Sequence, residues 1–239
     1  MKSPVPTAVR RVMQRWRLGG QLAQPPVAWR RTRWTKYFPR HKVAFRRAPD
    51  LLDRVSLRYA CKGAASGAGS AQNAFILIMA WRYGIEVGYG PWRTLRVLSG
   101  TDRAPQKLAA VAQTLRNHGA HAAYRRLADN GDCRLRWLGP GFGTKFMYFC
   151  QAADQNTTAL VLDSLVAAWL RRNTELHFNP VPWSVSTYEQ YLNEMHLWAS
   201  SLECTPDQLE YCIFREMSIE RDSQRGKRHT TRGDCILGR

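Results

Sequence analysis

The sequence predicts an all-α fold, and three observations predict it. Apolar residues recur at three- and four-residue steps, as in Leu108, Val111, Ala112 and Leu115, and again in Tyr188, Tyr191, Leu192, Met195 and Trp198. Alternating polar and apolar runs of strand length are absent, and no repeat of fixed period occurs. The longest strongly apolar run, Ala74 to Ala80, sits inside a helical pattern that is apolar on most faces, which places that helix at the centre of the core.

The elements follow in order. Thr7 to Leu18 reads as an Arg-rich amphipathic helix. Gly63 to Gly69 (GAASGAG) reads as a flexible connector, with Ser70 capping a helix from near Ala71 to about Tyr83. Further helical patterns cover Pro91–Leu98, Pro105–Asn117, Ala120–Asp129 and Lys145–Ala152, then Asp163–Arg172, Thr187–Ser201 and Pro206–Arg221. The 239 residues suffice for one domain with appendages or two small ones.

Charge is distributed unevenly. The chain carries 36 Lys plus Arg against 18 Asp plus Glu, a formal net charge of +18, and 29 of the cations are arginines. Residues 1–50 hold 13 basic side chains and one acid, and residues 221–239 hold six and two, which leaves residues 51–220 near neutral. This divides the chain into a basic N-terminal extension (1–50), a helical domain (51–220) and a basic C-terminal tail (221–239). Arginine forks onto phosphate through paired hydrogen bonds, so nucleic acid is the first partner expected, with simple solubility as the alternative. The acid-poor start also admits an organelle transit peptide, a translated leader, or an amphipathic helix lying on anionic lipid.

Other classes are excluded on composition. The run Ala74–Ala80 is far short of the ~20 residues that cross a bilayer, and the start lacks the apolar stretch of a secretory signal. Six scattered cysteines (Cys61, Cys133, Cys150, Cys204, Cys212, Cys235) form no CxxC pair, so neither zinc, nor a disulfide framework, nor a four-cysteine iron–sulfur cluster is expected. Free thiols are the expected state.

One stretch carries chemistry. Leu138-Gly139-Pro140-Gly141-Phe142-Gly143-Thr144-Lys145-Phe146 places three glycines at two-residue steps before a lysine. It fails the Walker loop, because Phe146 follows the lysine, and it fails the dinucleotide fingerprint. It fits a tight helix–hairpin–helix turn over 138–146, with Gly139, Gly141, Gly143 and Thr144 approaching a DNA strand and a new helix opening at Thr144 and Lys145. An ordinary glycine-rich interhelical turn is the alternative. A lysine at a helix N-terminus is opposed by the dipole, which favours the neutral, nucleophilic amine. Eighteen residues on, Asp163 opens an apolar helix, either as a plain N-cap or as a carboxylate partner. Phe149 lies one turn beyond Lys145 and is either a wall of a base pocket or a core residue. Trp81, Trp92, Trp169, Trp183 and Trp198 are further stacking candidates not separable from core.

These residues carry a resemblance. GPGFGTK at 139–145, followed by Phe146-Met147-Tyr148-Phe149 and then Leu162-Asp163, resembles the helix–hairpin–helix (HhH-GPD) DNA glycosylase superfamily, in particular its bacterial 8-oxoguanine DNA glycosylase-like branch. The likeness spans about residues 70–216, from Tyr89-Gly90-Pro91-Trp92-Arg93-Thr94 to Tyr191-Leu192, Trp198-Ala199 and Pro206-Asp207. It implies two helical subdomains with an active-site cleft between them. Lys145 becomes the nucleophile and Schiff-base former and Asp163 the assisting carboxylate, in excision of a damaged base, 8-oxoguanine foremost, with β-lyase strand cleavage. It further implies double-stranded DNA carrying a modified base as partner, no integral membrane, a monomer, and a cytoplasmic, nucleoid-associated place in a bacterium. No cofactor is implied, with room at the hairpin for a structural monovalent cation. The alternative function is a non-catalytic basic nucleic-acid-binding or ribosome-associated protein.

Overall fold

The computed structural model describes residues 4–85, 89–151, 159–176, 178, 181 and 184–233, with side chains described as far as residue 223. Eleven α-helices occur among them: α1 (Thr7–Leu18), α2 (Arg31–Tyr37), α3 (Lys42–Arg47), α4 (Arg54–Cys61), α5 (Ala68–Tyr83), α6 (Tyr89–Ser99), α7 (Ala104–Leu127), α8 (Pro140–Cys150), α9 (Ser164–Asn173), α10 (Val185–Ser201) and α11 (Pro206–Gly233). Beside them lies a short antiparallel pairing of β1 (Val27–Ala28) with β2 (Leu51–Leu52), in the register Val27 to Leu52 and Ala28 to Leu51. The all-α fold expected from the sequence is the fold found. The chain divides into two units, one formed by Met1–Leu22, Ser164–Phe178 and Glu194–Arg239, the other by Ala23–Asp163 and Asn179–Asn193.

In the larger unit α5 is the central helix. Every residue from Ala74 to Trp81 is buried, as its all-round apolar pattern requires. It starts at Ala68, so Ser70 is inside the helix rather than its cap, and half of the expected connector is a 3-10 turn at Ala64–Ser66. The two helices expected on either side of residue 119 are the two arms of α7, which bends at Gly119 (φ 79°, ψ −176°), a conformation open to glycine. Arg126 ties the arms: its guanidinium donates to Thr114 Oγ1 at 3.0 Å on the first arm and to the Asp132 carboxylate after the second. Leu108, Val111, Ala112 and Leu115 are fully buried, as their spacing predicts.

The charge-based boundary at residue 50 lies inside this unit. Residues 23–50 contribute Trp29, Trp34, Phe38 and Phe45 to its core, with Trp29 edge-on to Phe45 at 5.6 Å and its indole N–H donated to the Pro49 carbonyl at 2.8 Å. Of their cations, Arg30, Lys36, Arg40, Lys42, Arg46 and Arg47 are exposed, and Arg31 and Arg33 are half-buried.

The smaller unit packs α1 and α9 on α11. Helix α1 keeps the limits expected of it, and buries Val9, Val12, Met13 and Trp16. Its apolar face is therefore spent inside the protein, which removes the lipid-surface reading. Among the described residues no helix is long and apolar enough to cross a membrane.

Candidate active site

Helix α8 begins five residues earlier than the glycines suggested. Gly139 is its extended N-cap (φ −85°, ψ 164°), Pro140 occupies the first turn where its missing N–H costs nothing, and Gly141 and Gly143 are helical. The expected tight glycine turn over 138–146 is thus replaced, from Pro140 onward, by a proline-started helix. Lys145 falls in its second turn, where the terminal dipole has largely faded, so the dipole is not what tunes it.

Gly141 matters for its size. A Cβ there would sit 3.2 Å from Asp163 Cβ and 3.4 Å from its Cα, closer than neighbouring atoms normally rest, so a hydrogen at this position lets the Leu162–Asp163 backbone lie against α8. Lys145 Nζ, one turn along, donates to Asp163 Oδ2 at 2.8 Å and to the Gly141 carbonyl at 3.3 Å. The two side chains are 6 % and 15 % exposed. A pair this buried is held by mutual compensation, because stripping either charge of its partner leaves the other stranded.

The position of Asp163 is fixed by an extended segment whose peptide groups are met by side chains. Gln151 accepts the Ala159 N–H at 2.6 Å and donates to its carbonyl at 3.1 Å. Tyr188 O–H donates to the Leu160 carbonyl at 2.9 Å, and Tyr191 O–H to that of Val161 at 2.8 Å. Thr144 Oγ1 donates to the Pro140 carbonyl at 2.9 Å and accepts the Leu162 N–H at 3.1 Å. Residues 159–162 are fully buried, so each of these bonds answers a group that has no water. Burial raises the Tyr188 hydroxyl far above its usual range, which keeps it a donor.

Sequence reading recognised Tyr188 and Tyr191 only as core residues and missed Gln151. The available signal is that a buried tyrosine needs a partner for its hydroxyl. Thr144, expected at the DNA, is instead fully buried with its hydroxyl committed inside the protein; Gly143 is buried too. A Cβ on Gly139 would meet nothing within 4 Å, so the backbone there faces open space. Phe149 is 1 % exposed and packs edge-on against Trp81 and Tyr148, which makes it core. Trp81, Trp169 and Trp198 are buried, Trp92 is exposed, and Trp183 lies outside the described residues.

Alternative chemistry is scarce nearby. Burial beside Cys61 pushes the Cys150 thiol well above its ordinary range, so it stays protonated. The five described cysteines are free thiols, Cys235 lying outside the described residues. No group of three or more His, Cys, Asp or Glu side chains placed to hold a metal occurs among the described residues. At the hairpin, the Gly139 carbonyl accepts the Phe142 and Gly143 N–H groups and that of Pro140 accepts the Thr144 hydroxyl. A cavity of about 660 Å³ between α3, α4 and α5 is lined by Arg47, Asp53, Tyr59 and Leu77 among others, and by neither Lys145 nor Asp163.

A mostly helical protein that buries a lysine–aspartate pair, the lysine on a helix opening within GPGFGTK and the aspartate on the segment that packs against it, has the build of a helix–hairpin–helix glycosylase-like protein. The chain belongs to the family described as "Putative 8-oxoguanine DNA glycosylase OGG-like protein", whose model matches residues 20–214. No curated protein and no solved structure matches it.

Proposed function

We propose that the protein is a DNA glycosylase that excises a modified base, 8-oxoguanine foremost, and that Lys145 is its nucleophile. The buried Lys145–Asp163 pair at 2.8 Å carries this reading, because it places an amine, a proton acceptor and a carboxylate for a developing cation within one hydrogen bond. The family match supports a modified base in DNA as the class of substrate. The target nucleotide leaves the base stack before these groups can reach its sugar.

The steps use this chain's own atoms. Asp163 Oδ2 takes a proton from Lys145 Nζ, which frees the nitrogen lone pair. The N-glycosidic bond breaks and its electron pair departs with the base, which takes up the proton held by Asp163; the carboxylate so restored faces the cationic C1′ and stabilises it. The amine adds to C1′ and loses a proton. The C1′–O4′ bond then opens, giving a Schiff base. Loss of a C2′ proton expels the 3′ phosphate with the C3′–O bonding pair, and water releases Lys145 from the imine. The protein acts in this scheme as a monomer and needs no cofactor.

The test is borohydride trapping on duplexes carrying 8-oxoguanine, other modified bases or an abasic site. Wild type gives a covalent protein–DNA species on at least one of them, and Lys145→Gln gives none. No trapped species on any duplex, or one that survives Lys145→Gln, overturns the proposal.

A further inference from the structure

We propose that an arginine–tryptophan stack on α6 and the turn before α8 is a second nucleic-acid contact, gripping backbone phosphate outside the hairpin. It rests on the reading of the protein as DNA-directed but not on its chemistry. Trp92 and Trp137 are 41 % and 39 % exposed, an uncommon state for the largest apolar side chain. The Arg96 guanidinium lies over both indoles, 5.2 Å from the Trp92 ring centre and 3.7 Å from that of Trp137, and Arg136 lies 4.7 Å over Trp137 as well.

The arrangement is built rather than incidental. Trp137 holds a left-handed backbone (φ 69°), which a bulky residue adopts only against resistance. Its carbonyl accepts Arg93 Nη2 at 3.1 Å, and the Arg136 N–H is donated to Thr101 Oγ1 at 2.8 Å. A Cβ on Gly100 would come 2.8 Å from the Trp137 ring, so glycine there makes room for the indole. Strain and three fixings thus hold a side chain that is not core, and core packing does not account for them.

Charge selects the occupant. No described carboxylate pairs with Arg93, Arg96 or Arg136, although at least eight other described arginines have one: Arg15, Arg31, Arg103, Arg125, Arg126, Arg134, Arg172 and Arg221. A guanidinium held over an indole face has its reach restricted by the ring while its remaining N–H groups stay available to the oxygen atoms of a phosphate. The guanidiniums already cover ring faces, so the stack presents cation edges rather than a bare platform for a base.

Fluorescence anisotropy with a labelled undamaged duplex, titrated between about 50 and 200 mM salt, tests this without any catalytic step. Arg96→Gln and Arg136→Gln are each expected to weaken binding several-fold and to lower the slope of log affinity against log salt by about one. Trp137→Leu loses the platform and is expected to weaken binding as Arg96→Gln does. Arg11→Gln on α1 removes the same charge elsewhere and is expected to bind as wild type. If the Arg96 and Arg136 variants keep their melting temperature and match Arg11→Gln in affinity and slope, the proposal is overturned. Trapping on Lys145 is read separately, so either proposal can fail while the other stands.

Discussion

Three side chains decide the site: Gly141, Lys145 and Asp163. Gly141→Ala separates its geometry from stability. Alanine favours a helix over glycine by roughly 1 kcal/mol, yet the added methyl meets Asp163 at 3.2 Å and pushes the carboxylate from Lys145. The expected outcome is a melting temperature lowered less than by Asp163→Ala, as the helix preference offsets part of the loosened ion pair, with trapping slowed about 10- to 100-fold, since displacements under an ångström are felt at a reacting centre. Equal trapping rates for the variant and wild type would contradict the role given to this glycine. Asp163→Ala strands the Lys145 ammonium and is expected to cost about 3–5 kcal/mol in denaturant unfolding. The sequence motif pointed to all three residues; Asp163 is the carboxylate partner it allowed, while the reasons given for Gly141 and Lys145 are replaced. Gly141 makes room for the Asp163 backbone rather than for a DNA strand, and Lys145 meets an ion-pair partner rather than a helix end. A pattern of residue types along the chain carries no record of which backbone arrives eighteen residues later.

At the scale of elements, the helices were legible because burial on one face imprints a 3.6-residue period, and α1 and the arms of α7 follow it closely. The start of α8 was not legible: three glycines argue against helix locally, but burial of nearly the whole helix outweighs their propensity. The extended segment 159–163 was invisible because its hydrogen bonds go to side chains of distant helices. Tyr191→Phe leaves the Val161 carbonyl buried without a donor and is expected to cost about 1–3 kcal/mol, with slower trapping as Asp163 loses its support. Denaturant melts of this variant check the first part, and single-turnover trapping the second. The Arg126 clip gives a pH signature. Its guanidinium holds the Asp132 carboxyl at about 2, below the ordinary 3.8, so the ion pair stabilises the folded state above that ordinary value and the contribution fades as pH falls through the folded one. Asp132→Asn is therefore expected to lower the melting temperature slightly at neutral pH and to converge on wild type near pH 2; exposure of the carboxylate keeps the effect to about 0.5 kcal/mol. A gap that persists at the acidic end would mean the loss is steric.

Across the whole molecule, the charge of +18 suggested two cationic ends on a neutral body. The structure shows that the first of these ends is folded: most of its arginines are exposed, on or beside helices whose other faces are core. Composition counts charges, and cannot tell an arm from the outer face of a packed helix. Val12→Asp, which buries a carboxylate against α11, is accordingly expected to unfold the smaller unit, where an unstructured arm would tolerate it; circular dichroism and proteolysis read the difference. The central claim is that one amine, on α8, performs the chemistry. Peptide mapping by mass spectrometry of the borohydride-reduced protein–DNA adduct tests it most directly. The account predicts a reduced sugar remnant on Lys145, and a remnant found on any other amine, with Lys145 unmodified, would contradict it.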